Sequence, residues 1–237
     1  MNLLKAGREM GEKDLSDALL LTGKPLRSRD RKKYIENLAL RILQYCYDGV
    51  YDEFELHDAP DIRNRKGTIG IEVTEAITDV DAQIDGEFVK YRLENNIERK
   101  ERSKQIIEHR GAKLEDNTLS KLDTDSTIEI LTIQNAIKKK MEKLKEYKRK
   151  GFQKLELFVY YKDLPIPMKL DHWKNCFDEV LCKYKEKYDI VYFGCSGGLI
   201  VYNVLQNDIQ VRPIERSVFN RLGYETRLKI EKEKESL

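Results

Sequence analysis

The sequence predicts an α/β fold in which helices flank a mixed central sheet. An amphipathic helix at about residues 30–47 is followed by short strand-like segments. Residues 155–161 are largely apolar on both faces, as expected of a central strand covered by helices. An amphipathic segment and another strand-like segment come next. This strand–helix–strand order is typical of parallel pairs in α/β sheets.

Length and composition suit one domain with an insertion. The chain has 237 residues, 36% of them charged and 40% hydrophobic. We expect an N-terminal arm at residues 1–28 and an α/β domain at residues 29–237, with residues 79–150 inserted in it. No segment approaches the roughly 20 apolar residues of a membrane span. None of the four cysteines forms a C-x-x-C pair. We therefore expect a cytoplasmic protein with reduced thiols and no membrane partner.

The first half of the chain predicts a helix and then three strands. Residues 50–57 favour a strand, and residues 61–74 favour a hairpin around the turn-forming run Asn64-Arg65-Lys66-Gly67. The preceding helix has a buried stripe at helical spacing, made of Ile35, Leu38, Ala39, Ile42, Leu43 and Cys46.

The second half begins with the predicted insertion. Residues 79–110 and 128–149 favour two long, charged helices, which are candidates for clamping a duplex or for contacts within a homodimer. The alternative is that both helices simply pack on the sheet. The remaining elements are predicted as a strand at 155–161, a helix at 170–188, a hairpin at 189–204 and a strand at 209–211.

The strand after the turn has one apolar and one polar face. Glu72 and Thr74 lie on the polar face, because alternate residues of a strand point the same way. The turn folds the chain back, so Asp61 should lie across from the region of Gly70 and Glu72. Cross-strand neighbours are about 4.5–5.5 Å apart. Two carboxylates at that distance can share a hard divalent cation such as Mg²⁺.

Pro60-Asp61, the turn and Glu72-Val73-Thr74 resemble the motif of the PD-(D/E)XK nuclease superfamily, also called restriction-endonuclease-like. In that family, a Pro-Asp pair precedes a hairpin turn, and Asp/Glu-x-Lys follows on the next strand. Thr74 occupies the place of the lysine here. The motif covers about fifteen residues, and the element order extends the resemblance over most of the chain. The alternative is an ordinary β-hairpin with a solvated polar face.

The resemblance implies a restriction-endonuclease-like core and a metal-dependent endonuclease that hydrolyses DNA phosphodiester bonds. It implies that Asp61, Glu72 and the backbone carbonyl of Val73 hold Mg²⁺, for which Mn²⁺ can substitute. Glu36 would be an accessory ligand, since some family members place a glutamate on the first helix; the alternative is a solvated helix glutamate. The metal would lower the pKa of a bound water and neutralise charge on the phosphate.

The missing lysine needs a replacement. Thr74 completes the catalytic set with Asp61 and Glu72 and faces the same pocket, but a hydroxyl cannot replace an ammonium charge. Lys90, on the following helix, is the candidate, because some family members relocate this charge. Lys66 is six residues from Glu72, roughly 20 Å along an extended strand, and therefore too distant.

The basic residues of the turn are candidates for binding DNA. Arg63, Arg65 and Lys66 form one local run, and residues 27–33 form another. The basic residues between 138 and 150 are interpreted instead as the exposed side of a helix. The net charge is only +2, so local runs matter more than total charge.

One competing motif is rejected. Residues 194–198 match the G-x-S-x-G nucleophile elbow, which requires a helix directly after the serine and a histidine later in the chain. Residues 199–204 favour a strand, and all three histidines come earlier. A glycine-rich hairpin turn explains these residues. The main alternative to the nuclease is therefore a catalytically inactive nuclease-fold protein that binds nucleic acid or another protein, because the usual lysine is absent.

Overall fold

The computed structural model describes residues 26–115, 118–121, 126–162 and 168–235. The expected N-terminal arm lies outside these residues except for its last three. The described elements, in chain order, are α1 (Ser28–Cys46), β1 (Phe54–Leu56), β2 (Ile62–Asn64), β3 (Ile69–Glu75), α2 (Asp79–Leu93), α3 (Ile97–His109), β4 (Ala112–Glu115), β5 (Thr118–Lys121), α4 (Ser126–Arg149), β6 (Lys154–Tyr160), α5 (Leu170–Leu181), β7 (Ile190–Cys195), β8 (Gly198–Asn203), β9 (Asp208–Pro213) and α6 (Arg216–Glu235).

The main sheet is mixed and has seven strands in the order β1-β2-β3-β6-β7-β8-β9. Strands β3, β6 and β7 are parallel, while the ladders on both sides of them are antiparallel. The predicted α/β class with a mixed central sheet is confirmed. The glycine-rich run at 194–198 joins β7 to β8, so it is a hairpin turn as expected.

Helices cover both faces of this sheet. Alternate residues of β6 point into two different cores, which is why this strand is largely apolar, with Lys154 and Glu156 as its charged residues. Leu157 packs with α4 and α5 on one face. Phe158 packs with α1 and α6 on the other. The two helices that matter for the site, α1 and α4, therefore lie on opposite faces of the sheet.

The region predicted as a helical insertion is more varied than expected. It contains α2, α3, the two-stranded β4–β5 hairpin and α4. Residues Ile84, Ile107, Ala112 and Leu114 form a small separate core for the first part. Helix α4 instead buries Ile137, Met141 and Leu144 against the main sheet, so it is the crossover helix between the parallel strands β3 and β6.

Two further details differ from the sequence predictions. Helix α5 ends at Leu181, although the pattern had predicted a helix to residue 188. Helix α6 was not predicted, because its charged residues mask a short stripe of buried side chains: Phe219, Leu222 and Ile230. No helix in the described part of the chain is both long and apolar enough to cross a membrane.

Candidate active site

The hairpin places Asp61 and Glu72 opposite each other, as the sequence predicts. The register pairs Ile62 with Ile71 and Arg63 with Gly70, and its extension by one step, beyond the last paired residues, sets Asp61 across from Glu72. Both carboxylates are buried, with exposed fractions of 3% for Asp61 and 0% for Glu72. Burial of charged groups is costly unless they are paired, so their partners define what the site can do.

Strand β2 ends before β3 does, and this leaves a gap in the sheet where the two carboxylates contact residues from both faces. The ladder between β2 and β3 ends at the Ile62–Ile71 pair, whereas β3 continues to Glu75 beside β6. On the side where β2 has ended, the backbone N–H of Val73 donates to Oδ2 of Asp61 at 2.7 Å. Asp61 therefore takes the place of a strand partner and is held firmly against β3.

The close approach of the two strands depends on Gly70. A Cβ at this position would lie 2.4 Å from Cγ of Pro60 and 3.2 Å from the ring of Phe152. The first distance is too short for any side chain, and the second is tight, so Pro60 would have to move. The absence of a side chain at Gly70 lets Pro60, and with it Asp61, pack onto the polar face of β3.

Helix α4 supplies three partners to Glu72. Nζ of Lys140 lies 2.6 Å and Nζ of Lys143 lies 3.2 Å from Oε1. The hydroxyl of Tyr147 donates to Oε2 at 2.6 Å. These residues are three and four positions apart, so they share one helix face. Burial by itself raises the pKa of Glu72, but the charges and hydrogen bonds of Lys140, Tyr147 and Lys143 together outweigh it, so the pKa is lowered.

The charge beside Glu72 does not come from the predicted residues. Thr74 carries no ammonium, and Nζ of Lys90 pairs with Glu87 at 2.6 Å on the exposed side of α2. Lys90 therefore has a partner on its own helix, and the ammonium group beside Glu72 is that of Lys140. The sequence signal was the position of Lys140 next to the apolar stripe of α4, which the surrounding run of lysines had obscured.

Helix α1 brings a third carboxylate, Glu36, to the other side of Asp61. The two side chains are close enough to share a hydrogen bond, and burial together with the charge of Asp61 raises the pKa of Glu36 to about 7. Lys32 lies nearby, with Nζ 3.4 Å from Glu36 and 3.8 Å from Asp61. Burial and the charge of Glu72 raise the pKa of Asp61. The structure thus brings Glu36, Asp61 and Glu72 into one cluster.

The chemistry of this cluster suits a hard divalent cation. Its side-chain donors are carboxylate oxygens, which Mg²⁺ and Mn²⁺ prefer. Burial is the main reason that the pKa values of Glu36 and Asp61 are raised, and each carboxylate adds to the shift of its neighbour. Within the described ranges, however, no three Asp, Glu, His or Cys residues are arranged as a ready-made ligand set. Lysine and tyrosine partners occupy Glu72, so an ion there would compete with ammonium groups.

The three basic residues of the turn have different environments. Arg63 donates to the backbone carbonyl of Ala59, and its guanidinium lies 5.3 Å from the ring centroid of Phe152. It therefore stabilises the hairpin, and its contact with a phosphate stays a prediction. Arg65 is exposed, with a long ion pair to Glu55 at 3.7 Å, and Lys66 is also exposed.

Glu75 belongs to a different cluster, because three residues along a strand from Glu72 its side chain points to the other face of β3. It accepts two hydrogen bonds from Arg31 of α1, at 2.5 and 2.9 Å. Arg31 also binds Asp85 of α2 at 2.6 Å. These contacts attach the first part of the insertion to the main domain.

Comparison with known proteins identifies no relative. No family model, curated protein or solved structure matches this chain. The functional argument therefore depends on the residues of the site and their geometry.

Proposed function

We propose that the protein is a Mg²⁺-dependent endonuclease with a restriction-endonuclease-like core, which hydrolyses DNA phosphodiester bonds at Asp61 and Glu72. The main support is the 2.6 Å contact between Lys140 and Glu72, directly across the hairpin from Asp61. It supplies an ammonium group to the carboxylate pair despite Thr74. The order of α1, the antiparallel strands β1 to β3 and a crossover to parallel β6 supports the same interpretation.

Each residue has a distinct role in this proposal. Asp61, Glu72 and the carbonyl of Val73 would hold the metal, with Glu36 as an accessory ligand. The bound ion supplies an activated water and neutralises charge on the phosphate. Lys140 offers a fixed positive charge to the anion that develops during hydrolysis. Tyr147 holds Oε2 of Glu72 and thereby fixes the orientation of this carboxylate.

A second candidate function is a non-catalytic protein of the same fold that binds nucleic acid or another protein. One observation favours it: both oxygens of Glu72 already have donors, from Lys140, Lys143 and Tyr147. A carboxylate satisfied in this way stabilises the packing of α4 on the sheet without any bound metal. The two functions differ in whether metal binding and cleavage depend on the carboxylates.

The decisive experiment is plasmid cleavage in Mg²⁺ or Mn²⁺ by variants of the two carboxylates. Asp61→Asn and Glu72→Gln remove charge with little change in volume, and each should abolish cleavage. Glu142→Gln is the matched control, since Glu142 is an exposed glutamate of α4 and should cleave normally. Circular dichroism melts would verify that the variants are folded. If the unaltered protein cleaves with neither metal, or if Asp61→Asn cleaves as well as Glu142→Gln, the nuclease proposal fails.

A further inference from the structure

Two of the three lysines at the site are largely exposed. The side-chain exposure is 52% for Lys143 and 69% for Lys32, compared with 16% for Lys140. Lys143 belongs to α4 and Lys32 to α1, so they approach the carboxylates from helices on opposite faces of the sheet. Both contacts are also longer than that of Lys140, at 3.2 Å to Glu72 and 3.8 Å to Asp61.

The charges of the cluster balance without a metal. With all groups ionised, Glu36, Asp61 and Glu72 carry three negative charges, which the three lysines offset. A divalent ion at the carboxylates would add two positive charges and repel the ammonium groups. The exposed ammoniums can leave most easily, because water solvates them again as they move away. Lys140 is enclosed by the fold and has no comparable route.

We propose that Lys32 and Lys143 are exchangeable counter-ions that become phosphate-binding residues when the metal binds. This inference rests on the proposed function. Without metal, the two ammoniums compensate the buried carboxylates. When the metal takes their place, they turn towards solvent on either side of the site and bind the phosphates that flank the scissile one. Metal and DNA binding thus become linked, so that each increases the affinity for the other.

The proposal predicts that a single substitution strengthens the binding of the metal and weakens the binding of DNA. Lys143→Met removes a competitor of the metal, so the affinity for Mn²⁺ should increase about two- to fivefold, the range for an exposed ion pair. The same substitution removes a phosphate contact. The slope of log K against log salt for a duplex DNA, measured with Ca²⁺ to prevent cleavage, should therefore become shallower by about 0.9. Lys32→Met should behave in the same way.

Lys139→Met is the matched control, because it removes an equal charge from the exposed side of α4. Electron paramagnetic resonance titration gives the Mn²⁺ affinity, and fluorescence anisotropy gives the DNA affinity. Suppose that the unaltered protein binds Mn²⁺ and cleaves DNA, but that both lysine variants match Lys139→Met in either measurement. In that case the proposed release of Lys32 and Lys143 is wrong, but the proposed nuclease function is unaffected. If the unaltered protein neither binds Mn²⁺ nor cleaves, both the proposed function and this inference are overturned.

Discussion

Lys140 places its ammonium group 2.6 Å from a carboxylate with no exposed surface. A buried carboxylate needs such a partner, because its desolvation is not otherwise offset. At the scale of single residues, the site therefore depends on a charge from a helix 68 residues further along the chain. Thr74 stands where the resembled nuclease motif has a lysine, while Lys140 is the ammonium group that contacts Glu72.

Replacement of Lys140 tests whether its ammonium group can substitute for a lysine at position 74. Lys140→Met should lower the cleavage rate by about 10²–10³, the effect of removing a preorganised charge. It should also lower the free energy of unfolding by about 1–3 kcal/mol, because Glu72 loses one of its donors. Thr74→Lys should change the rate little in the unaltered protein but should restore part of it in the Lys140→Met variant. If the double variant is no faster than Lys140→Met in plasmid cleavage, the two positions are not equivalent.

Glu36 gives the stability of the protein a defined pH dependence. Its pKa is raised from 4.5 to about 7 in the folded protein, because burial and Asp61 disfavour the charged form. The folded state thus binds this proton more tightly than the unfolded chain. Its contribution to stability is complete below about pH 4.5 and is lost as the pH rises to about 7.

Urea unfolding at a series of pH values tests this assignment. Glu36→Gln should remove the loss of stability that ionisation of Glu36 causes, so above pH 7 the variant should be more stable than the unaltered protein. Lys32→Met should enlarge the loss, because the ammonium of Lys32 favours the charged form of Glu36. An unchanged pH profile in Glu36→Gln would contradict the raised pKa.

At the scale of elements, the β2–β3 hairpin determines how close Asp61 comes to β3. Gly70→Ala would place a methyl group 2.4 Å from Pro60. We expect this variant to lose about 1–3 kcal/mol of unfolding free energy and to bind Mn²⁺ more weakly, because Pro60 and Asp61 must move. Gly86→Ala is the control: a Cβ at Gly86 on α2 has no neighbour within 4 Å. It should instead stabilise the helix by about 0.5–1 kcal/mol. Equal stability of the two variants would show that the hairpin tolerates the methyl group.

At the scale of the whole molecule, charge is distributed unevenly around a nearly neutral chain. The net charge is +2, so the proposed binding of DNA would depend on exposed basic groups near the hairpin and the two helices. Arg65→Ala and Lys66→Ala should each make the salt dependence of duplex binding shallower by about 0.9. Arg63→Ala should instead lower thermal stability, because Arg63 binds Ala59 and lies over Phe152. A loss of salt slope in Arg63→Ala without a loss of stability would reverse this assignment.

Much of the hairpin was predictable from sequence because its determinants are local. Alternation over residues 69–74 determines which side chains share a face, and the turn residues determine where the chain reverses. Together they placed Asp61 opposite Glu72, and the structure agrees. The apolar stripe of α1 and the two-sided burial of β6 were predictable for the same reason, since both follow from short periodic patterns.

The partners of those carboxylates were decided only by the tertiary structure. Lys140 and Tyr147 reach Glu72 because α4 crosses over the sheet between the parallel strands β3 and β6, and Glu36 reaches Asp61 from α1 on the other face. Periodicity shows which residues face inwards, but it does not show which element covers them. A lysine beside an apolar stripe looks the same in sequence whether it faces water or a buried carboxylate. Burial makes the difference, because a desolvated charge selects its partner from whichever element the fold packs against it.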